Sequence, residues 1–367
     1  MPEFLDTSFS SGRWNWTLES PGGGSAEVNL RWDQIVDGWA TPKALVIRGE
    51  RDWGGEVTRV EHGGDPNDEK VEWTVSGLGF NTRLDKRIVR HDLVVNDEAA
   101  IIVEALLSEA QENQFNGNMN FTMGDVIGTT VSRRRGYCVG VNIGGAIKEL
   151  ASIRRGFSWE VDADRRLNIW NNTRGVETGR VLTREMCNEF HVVLDTSELL
   201  TNVTAIASAS DPYGPKYRMS HLASAGPANY TANDYGRRET SIDTDIIALN
   251  QKNPDWEQEL YDAGRAILRV QGGGMLTLHT KWNSTIAPWS MADVWLEDIV
   301  TVEFSDEDAD IFGTSVDMRV TMVTVTVEPM PPTQQGTGPP VYWIEYDFDA
   351  LIRDLDMEDG DPDQEGS

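Results

Sequence analysis

Two hydrophobic periods follow one another between residues 96 and 170, and no other feature constrains the fold of this chain as strongly. Asn96 or Asp97 can cap a helix, because a short side-chain oxygen there accepts a hydrogen bond from a free backbone N–H. The apolar residues that follow recur at three- and four-residue spacing, which predicts one buried helix face: Ala99, Ile102, Val103, Leu106, Leu107 and Ala110. A second helix is predicted from about residue 145 to 155, with Gly156 placed to end it.

The period then changes from helical to alternating. Residues 157–161 and 167–170 alternate apolar and polar side chains on either side of the turn Asp162-Ala163-Asp164. This pattern predicts a β-hairpin. Residues 96–170 therefore form a predicted α/β module of about 75 residues, which is within the usual size of a domain.

On both sides of this module the chain alternates with a period of two, as half-buried strands do. Strands before the module are predicted at 13–18, 44–49, 53–60 and 71–77. Strands after it are predicted at 190–194, 203–207, 275–280, 299–304 and 316–327. A turn or bulge is expected at the paired Gly54 and Gly55. Short strands at such spacing are typical of a small barrel or sandwich.

These patterns predict a mainly β fold with an α/β insertion. The predicted parts are a first β unit, an insertion domain, a second β unit with one helix, and a Pro-rich linker with an acidic C-terminal tail: residues 1–95, 96–182, 183–330 and 331–367. The helix of the second unit begins at the cap Asn253. Residues 114–130 are predicted to be irregular, and residues 208–240 form a long loop-like stretch.

The last part of the chain is strongly acidic. Its first half is predicted to hold a docked helix through four apolar residues: Phe348, Leu351, Ile352 and Leu355. From Glu358 onward disorder is expected, because no apolar side chain offsets the entropy lost on ordering.

The charge of the chain excludes several classes of partner. Lys and Arg total 32 against 60 Asp and Glu, which gives a formal net charge of -28. General duplex binding and binding to anionic membranes both need excess cations, so neither is expected. Adaptation to high salt, solubility at high local concentration, or a conduit that does not grip polyanions would each fit this acidity. With two cysteines, no signal-peptide pattern and no spanning segment, the chain is expected to be made in a cytoplasm.

Three basic clusters interrupt this acidity, at residues 133–135, 154–155 and 165–166. They can neutralise nearby carboxylates of the same chain, which is the simpler interpretation. The alternative is contact with an acidic neighbouring subunit.

No pattern for catalysis, cofactor binding or metal binding is found, so no site residue is predicted. Cys187 and His191 would share a strand face, but a buried thiol and a strand histidine is the favoured interpretation. A calcium loop starting at Asp354 fails because Asp359 occupies the place where the sharp turn needs Gly. The acidic residues at 306–310 suit a solvated loop or a weak cation site.

The tryptophan content raises one enzymatic alternative. Thirteen tryptophans among many carboxylates suit a carbohydrate-binding protein or a glycosidase, which needs two carboxyls on opposite sides of a bond. Four of them lie at strand periodicity, which favours core packing instead: Trp14, Trp16, Trp73 and Trp159.

The order of parts resembles the tail-tip or baseplate hub proteins of tailed bacteriophages. The elements that carry the resemblance are Trp73–Gly77, Leu84, Arg87-Ile88, the helix from Asp97, the hairpin at 156–161, Tyr235-Gly236 and Leu296–Val300. Glu297 stands where this family usually has Gly, which puts the turn there in doubt. Together the elements cover about residues 10 to 330.

The resemblance implies a homotrimer whose two tube-like β units per chain form a pseudo-sixfold ring under the tail tube. It implies a structural role, with no enzyme activity and no cofactor. The expected partners are the distal tail protein, the tape measure protein and tail fibre or tip proteins, and DNA would pass through the lumen without specific binding. The expected location is the virion tail tip, assembled in the host cytoplasm. The alternatives are a tail-associated cell-wall or polysaccharide hydrolase and a carbohydrate-binding module for host attachment.

Overall fold

A computed structural model describes the protein at residues 11–18, 20, 22–31, 44–63, 72–111, 118–152, 156–197, 199–208, 217–222, 238–247, 257–258, 260–261, 263–264, 267, 275–284, 287–328 and 341–350. The chain divides into two compact units. The first draws on residues 1–190, 279–300 and 319–348. The second draws on residues 191–278, 301–318 and 349–367.

Strands dominate the described residues. In chain order they are β1 Ser11–Thr17, β2 Ser25–Arg31, β3 Leu45–Ile47, β4 Trp53–Gly63, β5 Glu72–Gly79, β6 Leu93–Glu98, β7 Thr122–Ile127, β8 Ser132–Tyr137, β9 Phe157–Val161, β10 Arg166–Asn171, β11 Glu177–Leu182, β12 Glu189–Asp195, β13 Asn202–Ser208, β14 Tyr217–Leu222, β15 Glu239–Ile247, β16 Met275–Asn283, β17 Ile299–Glu303, β18 Ser315–Glu328 and β19 Val341–Ala350. The helices are α1 Ala99–Ala110, α2 Ile143–Ser152 and α3 Asp306–Phe312, with short 3-10 helices at Phe80–Lys86 and Arg184–Met186. Residues 257–258, 260–261, 263–264 and 267 are also helical.

The main sheet of the first unit contains, in order, β16, β19, β18, β1, β2, β5, β4 and β3. β1 is central and antiparallel to both neighbours, with Trp14 opposite Val325 on β18 and Ala26 on β2. Because side chains alternate along a strand, Trp14 and Trp16 point to the same face, and both are buried. One face of the sheet is therefore a tryptophan-rich core, as the alternation in the sequence predicts.

The α/β part of the first unit has its own sheet, in the order β7-β10-β9. β9 and β10 form the predicted hairpin, in antiparallel register from Leu167 opposite Val161 to Asn171 opposite Phe157. The helices α1 and α2 contribute their apolar faces to one core with this sheet, so the predicted helix stripe is confirmed. The same core includes Phe80 and Leu84 from the first 3-10 helix.

Close backbone packing joins this hairpin to the main sheet within the first unit. A Cβ added to Gly22, which has a φ of +99°, would lie 2.0 Å from the carbonyl oxygen of Val161. A Cβ added to Gly54 would lie 2.6 Å from the Cα of Ala163. These glycines are required because backbone meets backbone without room for a side chain. The bulge in β4 lies between Val57 and Arg59, so the prediction of a bulge at the paired glycines was wrong.

The start of α1 also differs from the prediction. Neither Asn96 nor Asp97 caps the helix, because both lie in β6. The first amides of the helix are satisfied from outside it: the Ala99 N–H donates to the Val131 carbonyl at 3.1 Å, and the Ala100 N–H donates to the Thr130 hydroxyl at 3.0 Å. The cap is therefore supplied by tertiary structure.

The structure corrects the predictions for three further segments. The stretch 114–130, predicted to be irregular, contains β7, which pairs in parallel with β10. The C-terminal segment begins as the strand β19, and the predicted docked helix is wrong for residues 341–350. The acidic residues at 306–310 start the helix α3, where the Ser305 hydroxyl donates to Asp308 at 2.9 Å. Residues 351–367, including the rejected calcium loop, lie outside the described residues.

The second unit contains a three-stranded sheet in the order β14-β13-β15. β13 is antiparallel to β14 and parallel to β15. The strand β14 lies inside the stretch 208–240 that was predicted to be loop-like, so that prediction is wrong at residues 217–222. The predicted helix cap Asn253 and the element Tyr235-Gly236 lie outside the described residues. The predicted fold class, mainly β with an α/β insertion, is confirmed.

Candidate functional sites

Cys187 and His191, the pair considered from the sequence as a possible metal site, do not share a strand face in the structure. Cys187 follows the second 3-10 helix and is not part of a strand, and its sulfur lies 3.8 Å from the Thr183 carbonyl. Cys187 is half-buried, and this burial raises the pKa of its thiol to about 12, so the reactive thiolate is disfavoured. Among the described residues, no group of three or more His, Cys, Asp or Glu side chains is placed to hold a metal ion. No helix in the described ranges is long and apolar enough to cross a membrane.

A cleft of about 320 Å³ opens beside the hairpin in the first unit. Its walls come from β1, the turn before β2, α2, β9 and the segments around Arg174 and Glu297: Thr17, Leu18, Gly22, Lys148, Ala151, Ser152, Phe157, Ser158, Trp159, Glu160, Arg174, Leu296 and Glu297. The cleft holds two carboxylates, Glu160 and Glu297, so it is the place where the hydrolase alternative can be judged.

Glu297 has a left-handed backbone, with a φ of +71°. This is the position where the sequence places Glu in a turn that usually has Gly. The turn is formed nonetheless, because the Asp298 N–H donates to the Trp295 carbonyl at 3.1 Å. The Glu297 N–H donates to the Val320 carbonyl on β18 at 2.9 Å. The Glu297 carboxylate accepts hydrogen bonds from the Ser158 hydroxyl, the Thr173 hydroxyl at 2.8 Å and the Arg174 N–H at 2.9 Å.

Arg174 holds the second carboxylate of the cleft. Its guanidinium forms an ion pair with Glu160, and both side chains are largely buried. The same guanidinium carbon lies 4.9 Å from the ring centroid of Trp170 and 5.8 Å from that of Trp295. A guanidinium at these distances is attracted to both aromatic faces, which fixes its position. No sequence motif marked Arg174, because its partners come from three separate segments.

The polar side chains of the cleft form hydrogen bonds and an ion pair that connect separate segments of the chain. Sugar hydrolysis needs one carboxyl that donates a proton to the leaving group and a second that acts as nucleophile or base. Glu160 is ion-paired to Arg174, and one oxygen of Glu297 accepts three hydrogen bonds. One oxygen of each carboxylate is thus occupied as an acceptor.

The second candidate site is the polar face of the main sheet, opposite the tryptophan core. Paired residues on neighbouring strands share a face, and on β1, β2 and β5 this face carries Ser11, Arg13, Asn15, Ser25, Glu27, Asn29, Arg31, Glu72, Thr74, Ser76 and the exposed Leu78. A hydrogen-bond ladder crosses the three strands: Asn29 Nδ2 donates to the Ser11 hydroxyl, and the Thr74 hydroxyl donates to Asn29 Oδ1, each at 2.8 Å. Arg13, Ser25 and Glu27 are exposed.

The cations of this region are paired with carboxylates. Arg13 on β1 forms an ion pair of 2.8 Å with Glu345 on β19, whose side chain is 10% exposed. Lys281 on β16 lies 3.6 Å from the other oxygen of Glu345 and 3.7 Å from Glu189. The surface is therefore hydroxyl- and amide-rich, and these two positive charges are neutralised.

This architecture matches solved structures over almost its whole length. The tail protein from Neisseria meningitidis MC58 superposes with a TM-score of 0.59 at 11% sequence identity, covering 93% of this chain and 92% of that one. The 43 kDa tail protein of prophage MuSo2 from Shewanella oneidensis gives 0.59 at 11% identity, covering 92% and 94%. Prophage tail protein gp18 from Listeria monocytogenes EGD-e gives 0.55 at 12% identity, covering 93% and 90%.

The fold is that of phage tail proteins. The resemblance drawn from the order of sequence elements is thereby confirmed for the fold. No protein-family model matches the chain, and no curated protein sequence does. At 11–12% identity the likeness to these tail proteins lies in the path of the backbone. Short elements in order carried it in the sequence, whereas residue-by-residue similarity did not.

Proposed function

We propose that this protein is a structural hub of a bacteriophage tail tip, joining the tail tube to distal tail and fibre proteins. The observation that supports it is the tail-protein fold, shared over at least 90% of both chains with tail proteins from three bacteria. A fold-level likeness suggests a role by analogy, so the specific assignment depends on the surfaces of this chain.

The proposed assembly is a homotrimer in the virion. Two β units in each of three chains would give a pseudo-sixfold ring that meets a hexameric tail tube. The distal tail protein, the tape measure protein and tail fibre or tip proteins are the proposed neighbours, and assembly would take place in the host cytoplasm. The division of the chain at residues 95, 182 and 330 stays a prediction that limited proteolysis can check.

The polar face of the main sheet is the proposed wall of the DNA path. DNA binds tightly where Lys and Arg displace its counterions, so a conduit should lack unpaired cations. On this face Arg13 and Lys281 are each paired with Glu345, and the neighbouring side chains are Ser, Thr and Asn around an exposed Glu27. Such a wall is polar but offers the phosphates no unpaired cation to bind.

The hydrolase alternative has less support than the structural role, because the carboxylates of the cleft already have partners. Glu160 and Glu297 line one cavity but both are used as acceptors by Arg174, Ser158 and Thr173. We therefore propose a non-enzymatic role. Incubating the purified chain with cell-wall polymer tests this directly, because release of soluble fragments would contradict the proposal.

Imaging of intact particles tests the hub assignment. Antibody labelling should place the protein at the distal end of the tail, and cryo-EM averages should show three copies around the tail axis. A copy number other than three, or a position along the tube or at the head, would contradict it. A map of the tip would also show whether the face carrying Glu27 and Asn29 lines the lumen.

A further inference from the structure

The outer edge of β9 lies along the cleft of the first unit. Among the strands of the described residues, β9 pairs with β10 on one side and is the last strand of its sheet on the other. Four consecutive residues of β9 line the cleft: Phe157, Ser158, Trp159 and Glu160. Side chains alternate between the two faces of a strand, so a wall made of consecutive residues follows the edge of the strand. We call this part of the cleft the β9 groove.

The register of the hairpin shows which backbone groups point into the β9 groove. The Asp162 N–H donates to the Arg166 carbonyl at 3.0 Å. In an antiparallel pair every second residue exchanges hydrogen bonds with its partner, so the even-numbered residues of β9 bond to β10. The N–H and C=O groups of Phe157 and Trp159 therefore point away from β10. No hydrogen bond from a described residue reaches them on that side.

The groove is closed at one end by Gly22. A Cβ added to Gly22 would lie 2.0 Å from the Val161 carbonyl oxygen, so the edge of β9 is covered at this residue. Phe157 and Trp159 remain, and an added strand of about three residues could form up to four backbone hydrogen bonds with them. The cleft volume of about 320 Å³ is at the small end of ligand sites, which suits a few residues of extended chain.

Glu297 adds a negative charge to the wall of the groove. Its three hydrogen bonds, from two hydroxyls and one backbone N–H, all go to Oε2. Within the described residues Oε1 accepts no hydrogen bond and Glu297 forms no ion pair. The side chain is half-buried. A charge in such a place attracts a counter-ion more strongly than one in bulk water, because the effective dielectric constant is lower.

The other charged side chains of the groove are balanced. Glu160 forms an ion pair with Arg174. Lys148 lies 3.1 Å from a carboxylate oxygen of Asp85. The charge left over in the groove is thus the single carboxylate of Glu297, which one cation would neutralise.

The apolar part of the lining favours a Lys or Arg side chain as that cation. Leu18, Ala151 and Leu296 line the same cleft. Long basic side chains pack their methylene stems on apolar surface and keep the charged end at a polar group. The formal net charge of -28 also makes a basic partner complementary to this chain.

We propose that the β9 groove binds an extended segment of a neighbouring tail protein, which adds a strand to β9 and places one Lys or Arg side chain on Glu297. That the partner is a tail protein rests on the proposed hub role. The backbone groups of Phe157 and Trp159 supply affinity for any extended chain, and Glu297 supplies the preference for a basic residue.

Selection of peptides on the full chain tests the proposal. A display library of random heptapeptides is selected on the immobilised protein and, in parallel, on Glu297→Gln. Gln keeps an acceptor oxygen for the three internal hydrogen bonds, and thermal unfolding checks that the variant folds. The expected sequences carry one Lys or Arg between residues that favour strands, and they should be enriched on the parent alone.

The affinity of the best peptide, measured by fluorescence anisotropy, tests the contact with Glu297. It should fall at least about 10-fold in Glu297→Gln, because a charge-assisted hydrogen bond is lost. A peptide with norleucine in place of the basic residue should lose as much on the parent and nothing further on the variant. Glu104→Gln removes the same charge on the exposed face of α1 and should bind as the parent does.

Strand addition has its own test. Methylation of the peptide amides that face β9 should abolish binding, since these amides would donate to the carbonyls of Phe157 and Trp159. Hydrogen exchange at the N–H groups of the same two residues should slow when the peptide is bound.

Four results would overturn the proposal: no enriched sequence, enriched sequences without Lys or Arg, equal affinity for the parent and Glu297→Gln, or unchanged binding of the methylated peptide. Imaging of particles decides the hub role separately. Three copies at the tail tip without a selected peptide would reject the groove and leave the hub role intact. A chain located away from the tip that still binds the peptide through Glu297 would reject the hub role and the tail-protein partner, and would support the groove.

Discussion

The carboxylate of Glu297 accepts a hydrogen bond of 2.9 Å from the backbone N–H of Arg174, 123 positions earlier in the chain. The same oxygen accepts from Ser158 and Thr173, so one side chain ties β9 and the segment after β10 to the turn before β17. The left-handed backbone of a non-glycine residue costs about 1–2 kcal/mol. Three hydrogen bonds of about 1 kcal/mol each more than offset that cost.

Replacement of Glu297 tests this balance. Glu297→Gly should relieve the backbone strain but remove three acceptor contacts, for a net loss of about 1–2 kcal/mol in the free energy of unfolding. Glu297→Gln keeps one acceptor oxygen in the same place and should lose less. Urea unfolding at neutral pH measures both. A Glu297→Gly variant more stable than the parent would show that the backbone strain outweighs the three hydrogen bonds.

The close packing at Gly22 gives a prediction with a matched control. Gly22 and Gly179 both have positive φ, +99° and +65°, but an added Cβ meets the Val161 carbonyl at 2.0 Å in the first case and nothing within 4 Å in the second. Gly179→Ala should therefore cost only the conformational term, about 1 kcal/mol. Gly22→Ala should cost about 3 kcal/mol or more, because the hairpin must move. Equal losses in thermal unfolding would show that the β9 contact is not tight.

The helix α1 could be located from the sequence, but the group that caps it could not. Asn96 and Asp97 have the right chemistry for a cap, and the apolar stripe after them was located correctly as a helix. The backbone continues as β6 to Glu98, however, so the Ala100 amide is reached instead by the Thr130 hydroxyl, 30 positions away. Hydrophobic period is a local property, whereas the identity of a capping group depends on which strand ends nearby.

The same distinction applies to β7, β19 and the cleft. The residues of β7 do not alternate strictly between apolar and polar, and Gly124 lies within them. The segment is a strand because it pairs in parallel with β10. Phe348, the first residue of the predicted helix stripe, lies instead in β19, where Ile344, Tyr346 and Phe348 alternate into a core. The other three residues of that stripe, Leu351, Ile352 and Leu355, lie outside the described residues. The resemblance located Glu297 as an unusual residue, but its contacts with Ser158 and Arg174 could not be found from spacing alone.

Thr130 is therefore expected to matter more than the two residues that resemble a cap. Thr130→Val removes the acceptor of the buried Ala100 N–H and keeps the shape, which should cost about 1–2 kcal/mol. Asp97→Ala should cost less than half of that, since the hydrogen bond that its carboxylate accepts from the Glu98 N–H is exposed to solvent. Denaturant unfolding compares the two. A larger loss in Asp97→Ala would restore the capping interpretation.

Stability should fall in acid through Glu109 on α1. Burial raises the pKa of this carboxyl. The hydrogen bonds from the backbone N–H groups of Arg90 and His91, together with the nearby His91 ring, lower the pKa by more than burial raises it, so the net shift is downward. A carboxyl with a depressed pKa stabilises the fold above its unfolded pKa and loses that contribution as pH falls through the folded value. Glu109→Gln should therefore be less stable than the parent at pH 7. The difference should shrink steadily below about pH 4.5. A pH-independent difference would contradict the assignment.

The charge of the proposed lumen wall gives the last prediction, which depends on the hub role. Glu27 is exposed on the polar face of the main sheet, between Arg13 and Ser76. Arg13 is neutralised by Glu345, so Glu27→Lys would create an unpaired cation facing the DNA path in every copy. Phosphates bound there release counterions, which strengthens binding and should slow genome ejection in vitro several-fold.

Salt and position distinguish this electrostatic effect from a general defect. Raising the ionic strength screens the attraction between lysine and phosphate, so ejection by Glu27→Lys particles should approach the parental rate as salt increases. Glu104→Lys makes the same charge change on the exposed face of α1, outside the polar sheet face, and should eject at the parental rate. Equal slowing by both variants would mean that total charge matters and that the sheet face has no special role. Ejection indifferent to Glu27→Lys at low salt would place the DNA path elsewhere.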